Sequence, residues 1–193
     1  MLYYLSKPLL LFSLIAFFIH KNYPPDTTDK VKVAVALLLS LLGDVLLMQS
    51  GETNFMAGMA AFFAAHIAYL LFYVKQNLSI RVIPITLSSL LALLAGYVLY
   101  EYINVSSDLQ PYIYGYAGII GLHLIVATLF AFQNKGMQWL SAAGALLFVI
   151  SDTLLAYNKF NEAHTYLHIA VMLTYGLAQY SIVISINNYL KKT

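Results

Sequence analysis

Cysteine is absent from all 193 residues, which excludes disulfides, iron–sulfur clusters, Cys-ligated zinc and cysteine nucleophiles. Charge is scarce too, at 9% of residues against roughly 25% in a soluble domain. Ten Lys and Arg nearly balance eight Asp and Glu, and the net +2 is spread too thinly for a nucleic-acid footprint. No phosphate loop, dinucleotide fingerprint or Gly-x-Ser-x-Gly elbow occurs, which argues against nucleotide-driven chemistry. What is there is hydrocarbon: 61% of residues are hydrophobic and the mean hydropathy is +0.77. Such a chain suits a bilayer rather than water and predicts an integral membrane protein.

A spanning helix needs about 20 mostly apolar residues. Seven stretches qualify, at 3–19, 31–49, 54–74, 80–100, 112–132, 137–157 and 165–190. The breaks carry turn residues such as Pro24-Pro25-Asp26, Gly51-Glu52-Thr53-Asn54 and Asn134-Lys135-Gly136. None is long enough for a second domain, so 1–193 reads as one transmembrane unit. The first stretch lacks the basic start and small-residue cleavage site of a signal peptide and reads as a retained helix. Lysine and arginine test the count independently, because positive charge gathers on the cytoplasmic side. Eight lie in alternate loops on one side, from Lys21, Lys30 and Lys32 through Lys75, Arg81 and Lys135 to Lys191 and Lys192. The other side has only Lys7 and Lys159. The expected fold is an all-α polytopic bundle of about seven transmembrane helices, N-terminus outside and C-terminus cytoplasmic. The inner membrane is the expected location if the source is bacterial.

One internal echo stands out. Leu38-Leu39-Ser40-Leu41-Leu42-Gly43-Asp44-Val45-Leu46-Leu47 aligns with Leu146-Leu147-Phe148-Val149-Ile150-Ser151-Asp152-Thr153-Leu154-Leu155, placing Asp44 and Asp152 at the same point of each segment. A parallel 3+1+3 arrangement, with the second and sixth helices as counterparts, would produce it.

Ionisable groups inside spanning segments are costly and mark function by default. Asp44 and Asp152 lie roughly 20 and 22 Å from the cytoplasmic end of their stretches, in the outer half. Lys7, His168 and Tyr175 fall within about two helical turns of that level, while His66, His123 and Gln179 lie deeper. The plainer reading of the aspartates is that they lock helices together. The chemical reading is that two carboxyls in a low-dielectric pocket favour one acid beside one carboxylate, the division of labour that cleaves acetals and glycosides. Lys7 divides between snorkelling to the headgroups and pairing with a phosphate or carboxylate. His66 and His123 read first as hydrogen-bonded core histidines. His164 and His168, at i and i+4, share a helix face as a metal pair would, but no third ligand is set by spacing. The tyrosines and Trp139 cluster near segment ends as an aromatic belt. Gly58, Gly96, Gly118, Gly121, Gly144 and Gly176 read as helix-packing positions.

At these residues the chain resembles the lysoplasmalogenase family of YhhN-like membrane proteins. The resemblance is carried by Lys7-Pro8-Leu9, by the segment Ser40 to Leu47, and by Phe55-x-x-Gly58-x-x-x-Phe62-x-x-x-His66-x-x-Tyr69. It continues in Gly144-Ala145-Leu146-Leu147-Phe148-x-x-Ser151-Asp152-x-x-Leu155-Ala156 and in Thr174-Tyr175-x-x-Ala178-Gln179. It implies hydrolysis of the vinyl ether bond of a lysophospholipid, giving a fatty aldehyde and a glycerophospho-alcohol, with no cofactor and no metal. Asp44 and Asp152 would be the catalytic pair. Lys7 would hold the phosphate, and His66, Tyr69, Tyr175 and Gln179 would shape the pocket. The expected partners are the lysophospholipid and the bilayer. Two readings compete: a small transporter built on the 3+1+3 echo, and a metal-assisted lipid amide or ester hydrolase using His164, His168 and an aspartate.

Overall fold

The computed structural model describes residues 2–20, 27–161 and 163–192, with side chains from residue 8 in the first helix and residue 28 in the second. It is all helical: α1 (Leu2–His20), α2 (Thr27–Leu47), α3 (Glu52–Val74), α4 (Val82–Tyr102), α5 (Gln110–Asn134), α6 (Trp139–Phe160) and α7 (Thr165–Leu190). A single 3₁₀ turn, Gly136–Gln138, leads into α6. α3, α4, α5, α6 with its 3₁₀ turn, and α7 are each long and apolar enough to cross a membrane. The protein is an integral, multi-pass membrane protein.

Local chemistry sets the helix ends. Pro111 opens α5, where a missing N–H costs nothing because the first turn has no internal acceptor for it. Lys135 closes α5 in the left-handed region with φ 56°, its N–H donating to Ala131 O at 2.8 Å, and Gly136 follows with φ 59°. α2 starts at Thr27, four residues ahead of its apolar run. Asp29, a buried carboxyl, is what the added turn brings in. It accepts from Lys32 at 3.1 Å and Gln76 Nε2 at 3.1 Å, and pairs with Lys75 at 3.2 Å.

Six helices close a ring in the order α1, α2, α3, α5, α6, α7 and back to α1. The most extensive pairs are α2 with α3 and α6 with α7, which hold equivalent places at the offset of the echoed segments. α4 stands outside the ring against α5 and α6, with Leu87, Leu90, Leu93, Leu94, Tyr97 and Tyr100 exposed on its far side. Hydrocarbon is the natural solvent for that face.

The helix ends sort as the charge count requires. At the lysine-rich end, Asp29 of α2 meets Lys75 and Gln76 just beyond α3, and Tyr189 of α7 donates to Gln76 at 3.0 Å. Gln133 of α5 accepts from the Ser79 N–H at 2.7 Å. At the opposite end, Phe55 of α3 packs edge-on against Phe160 of α6, and Asn161 donates to Tyr102 O of α4 at 2.7 Å.

Glycines bring the closest pairs together. A Cβ on Gly144 would lie 2.8 Å from Ala178 O and 2.7 Å from Ile182 of α7, and one on Gly43 would lie 2.6 Å from the Phe62 ring. Gly58 fits against Leu47 in the same way. Gly96 and Gly118, read from sequence as packing positions, are not: a Cβ at either meets nothing within 4 Å. Gly144→Ala should therefore destabilise by about 1–3 kcal/mol, because backbone must move, while Gly118→Ala changes stability by about 0.5 kcal/mol or less. Thermal midpoints of the two variants in detergent check the contrast. By the same measurement Asp29→Ala, which strips two cations and an amide of their shared acceptor, should cost about 1–3 kcal/mol.

Candidate active site

Asp44 lies three residues from the end of α2 and is 1% exposed. A carboxyl that deep in a lipid-facing bundle needs a donor from another helix. Tyr175 of α7 supplies it, its hydroxyl donating to Asp44 Oδ2 at 2.8 Å. Behind Tyr175 the donors line up in one direction. Tyr69 OH donates to Gln179 Oε1 at 2.8 Å, and Gln179 Nε2 reaches Tyr175 OH at 3.5 Å. Phe62 stands edge-on to Tyr175, ring centres 5.8 Å apart, and packs onto the backbone that Gly43 leaves bare.

Asp152, on α6, is only half-buried. Its Oδ2 accepts from the hydroxyl of Tyr116 on α5 at 2.9 Å. Both residues form the wall of a cavity in the half of the bundle away from the lysine-rich end, where α4 backs α5 and α6. The space holds about 70 Å³ for the centres of water-sized molecules, several times the roughly 10–15 Å³ one water requires. Apart from Asp152, Tyr116 and Thr153 its lining is apolar, from Phe55, Met59 and Phe62 on α3 to Ala92, Gly96 and Leu99 on α4. Phe62 thus separates the two aspartates, one edge on Tyr175 and another side on the cavity.

Between the two tyrosine–aspartate pairs sits a pair of histidines. His66 Nδ1 and His123 Nδ1 are 2.8 Å apart, and both rings are buried. One ring must donate and the other accept, so in the neutral pair one histidine carries its proton on Nδ1 and the other on Nε2. Both Nε2 atoms are buried without a hydrogen-bond partner among the described residues. Tyr69 stacks on His123 at 5.5 Å, Phe148 meets His66 edge-on at 4.9 Å, and Tyr116 approaches His66 at 6.1 Å.

The residues expected from sequence therefore separate into two shells. Asp152 faces the cavity. Asp44, His66, Tyr69, Tyr175 and Gln179 are brought together, but inside the ring and away from the cavity wall. The Lys7 side chain lies outside the described residues. His168 contacts Asn158 Nδ2 at 3.1 Å while the His164 ring stacks on Tyr166, so the two histidines serve different neighbours. Among the described residues no three His, Asp or Glu gather as metal ligands. Sequence reasoning missed Tyr116, filed with the aromatic belt, and set His123 aside as a core residue. The signal was their i, i+7 spacing, which puts both on one face of α5.

The chain is 28% identical over 160 residues to the lysoplasmalogenase TMEM86A of cattle (Bos taurus), a match covering 80% of this chain and 64% of the relative. The human (Homo sapiens) TMEM86A lysoplasmalogenase matches at 27% with the same coverage. The lysoplasmalogenase TMEM86B of pig (Sus scrofa) matches at 32% over 164 residues, 79% of this chain and 62% of that one. The chain thus spans a little under two thirds of these relatives' length. No solved structure matches it. The model of the YhhN family matches residues 2–186, and with a match running through all seven helices the chain belongs to that family.

Proposed function

We propose that this chain hydrolyses the vinyl ether bond of a lysoplasmalogen, releasing a fatty aldehyde and a glycerophospho-ethanolamine or -choline. Asp152 carries the reading: a carboxyl, hydrogen-bonded by Tyr116, in the wall of a cavity otherwise made almost entirely of hydrocarbon. The names of the relatives support the substrate class. By the distribution of lysine the lysine-rich end is cytoplasmic, so the cavity lies in the outer half of the bilayer. An ether linkage sits there, just below the headgroup. Lys7 is the proposed phosphate partner. Lys159, its ammonium 5.3 Å from the centre of the Phe55 ring at the cavity mouth, is a second cation at that end.

The chemistry needs one acid, one water and a negative field. The Asp152 carboxyl gives its proton to the alkenyl carbon one removed from the ether oxygen, and the double-bond electrons take it up, leaving an oxocarbenium ion. Water adds to the carbon bonded to oxygen and loses a proton to Asp152, which restores the acid. The hemiacetal then breaks its bond to the glycerol oxygen. That oxygen gains a proton, the hemiacetal hydroxyl loses one, and the aldehyde departs. Tyr116 holds Asp152 toward the cavity. Asp44, fixed by Tyr175 behind Phe62, supplies negative charge to the cation through a medium that screens it weakly.

The test is aldehyde release from a lysoplasmalogen by detergent-purified protein, with variants checked for folding. Asp152→Asn should lower kcat by about 10²–10⁴-fold, the usual worth of a general acid. Asp44→Asn should lower it less while leaving KM near the wild-type value, because it acts at a distance. Tyr116→Phe should cost about tenfold to a hundredfold. Chelator should leave all rates unchanged. Full activity in folded Asp152→Asn, or no release by folded wild type, overturns the proposal.

A further inference from the structure

Met59 and Tyr116 belong to two cavities at once. On one side they line the space beside Asp152. On the other they form the inner wall of a groove on the outside of the bundle, between the first halves of α3 and α5. Ala60 and Phe63 of α3 and Tyr112 and Gly115 of α5 flank that groove. Phe63 and Tyr112 are exposed, and both helices are apolar spans, so the groove opens toward lipid tails.

The inner cavity is short. Its floor is set by Val149, three residues below Asp152 on α6, and by Gly121, five below Tyr116 on α5. There α4 and α5 meet: a Cβ on Gly121 would lie 3.2 Å from that of Ala92. The floor is thus about 5–8 Å below the carboxyl. A membrane lipid tail spans half the hydrocarbon core, about 15 Å. A substrate with its ether bond at Asp152 has more chain than the cavity has depth.

We propose that the groove between α3 and α5 holds the distal part of that hydrocarbon chain, which passes from the cavity between Met59 and Tyr116. The inference takes its substrate class from the proposed hydrolase activity. Every wall of the groove suits an alkyl chain and none offers a charge. Met59, unbranched and adaptable, is the partition that a methylene chain can displace at low cost. Gly115 leaves the backbone of α5 bare: a Cβ there meets nothing within 4 Å. The chain would rest on that bare strip, one residue before the tyrosine that holds Asp152.

The groove can be filled without touching the acid. Gly115→Trp and, on the facing helix, Ala60→Trp point into it from exposed positions. With purified folded protein, both should lower kcat/KM for a long-chain lysoplasmalogen by about tenfold, the worth of two methylenes kept out of the groove. Both should leave a short-chain analogue unaffected. A lysolipid carrying a diazirine at its chain end should crosslink to the first halves of α3 and α5 in wild type and lose that crosslink in Gly115→Trp. Equal losses on long and short chains, no loss on either, or crosslinks confined to α4 and α6 would overturn the groove. If wild type cleaves neither chain length the hydrolase reading fails, and the crosslink position still decides whether the groove binds the tail.

Discussion

A carboxyl inside a bundle whose outside is hydrocarbon has no water to lean on, and each buried donor or acceptor left unmet costs about 1–3 kcal/mol. Both aspartates answer the constraint alike, with a tyrosine hydroxyl from another helix: Tyr175 of α7 for Asp44 of α2, and Tyr116 of α5 for Asp152 of α6. The first ties α2 to α7 across the ring, and the second ties the neighbours α5 and α6. The surrounding geometry serves them. Gly43 lets Phe62 sit close beneath Tyr175, and Gly144 lets α6 and α7 approach until Ser151 Oγ can donate to Val171 O at 3.2 Å. Of the two, only Asp152 has open space on one side, in the wall of the cavity.

The histidine pair follows the same rule with a different result. Its 2.8 Å contact settles two nitrogens and leaves two, packed among Tyr69, Phe148 and Tyr116. Because the two rings share a single bridging proton, the tautomer of each depends on the other. A substitution at either changes what its partner presents to the tyrosines around it. At the lysine-rich end, by contrast, the buried carboxyl has its partners. Asp29 takes two lysines and an amide, and Gln76 passes the tie on to Tyr189.

Much of this was legible in the chain itself. Seven helices could be read because a span has a fixed length, and the grouping of their ends because positive charge keeps to one side. Asp44 and Asp152 announced themselves as ionisable groups in apolar runs. What sequence hid was direction. Tyr116 is one of sixteen tyrosines, and only its packing separates it from those at the membrane surface. Gly96 and Gly118 looked like Gly144, yet a glycine in an apolar run does not say whether another helix or open space faces it. Phe62, which separates one aspartate from the cavity, looks from sequence like any core aromatic.

α4 contributes little to the closed ring, standing against α5 and α6 alone. Its larger consequence is one of parity. Three helices reverse the direction of the chain, so a triplet joined directly to its copy would be inserted upside down. A single additional crossing restores the heading. With α4 in place, α2 and α6 run the same way, and Asp44 and Asp152 are delivered to the same half of the bundle. Without it, the two carboxyls would be consigned to opposite membrane faces, whatever the quality of their helices.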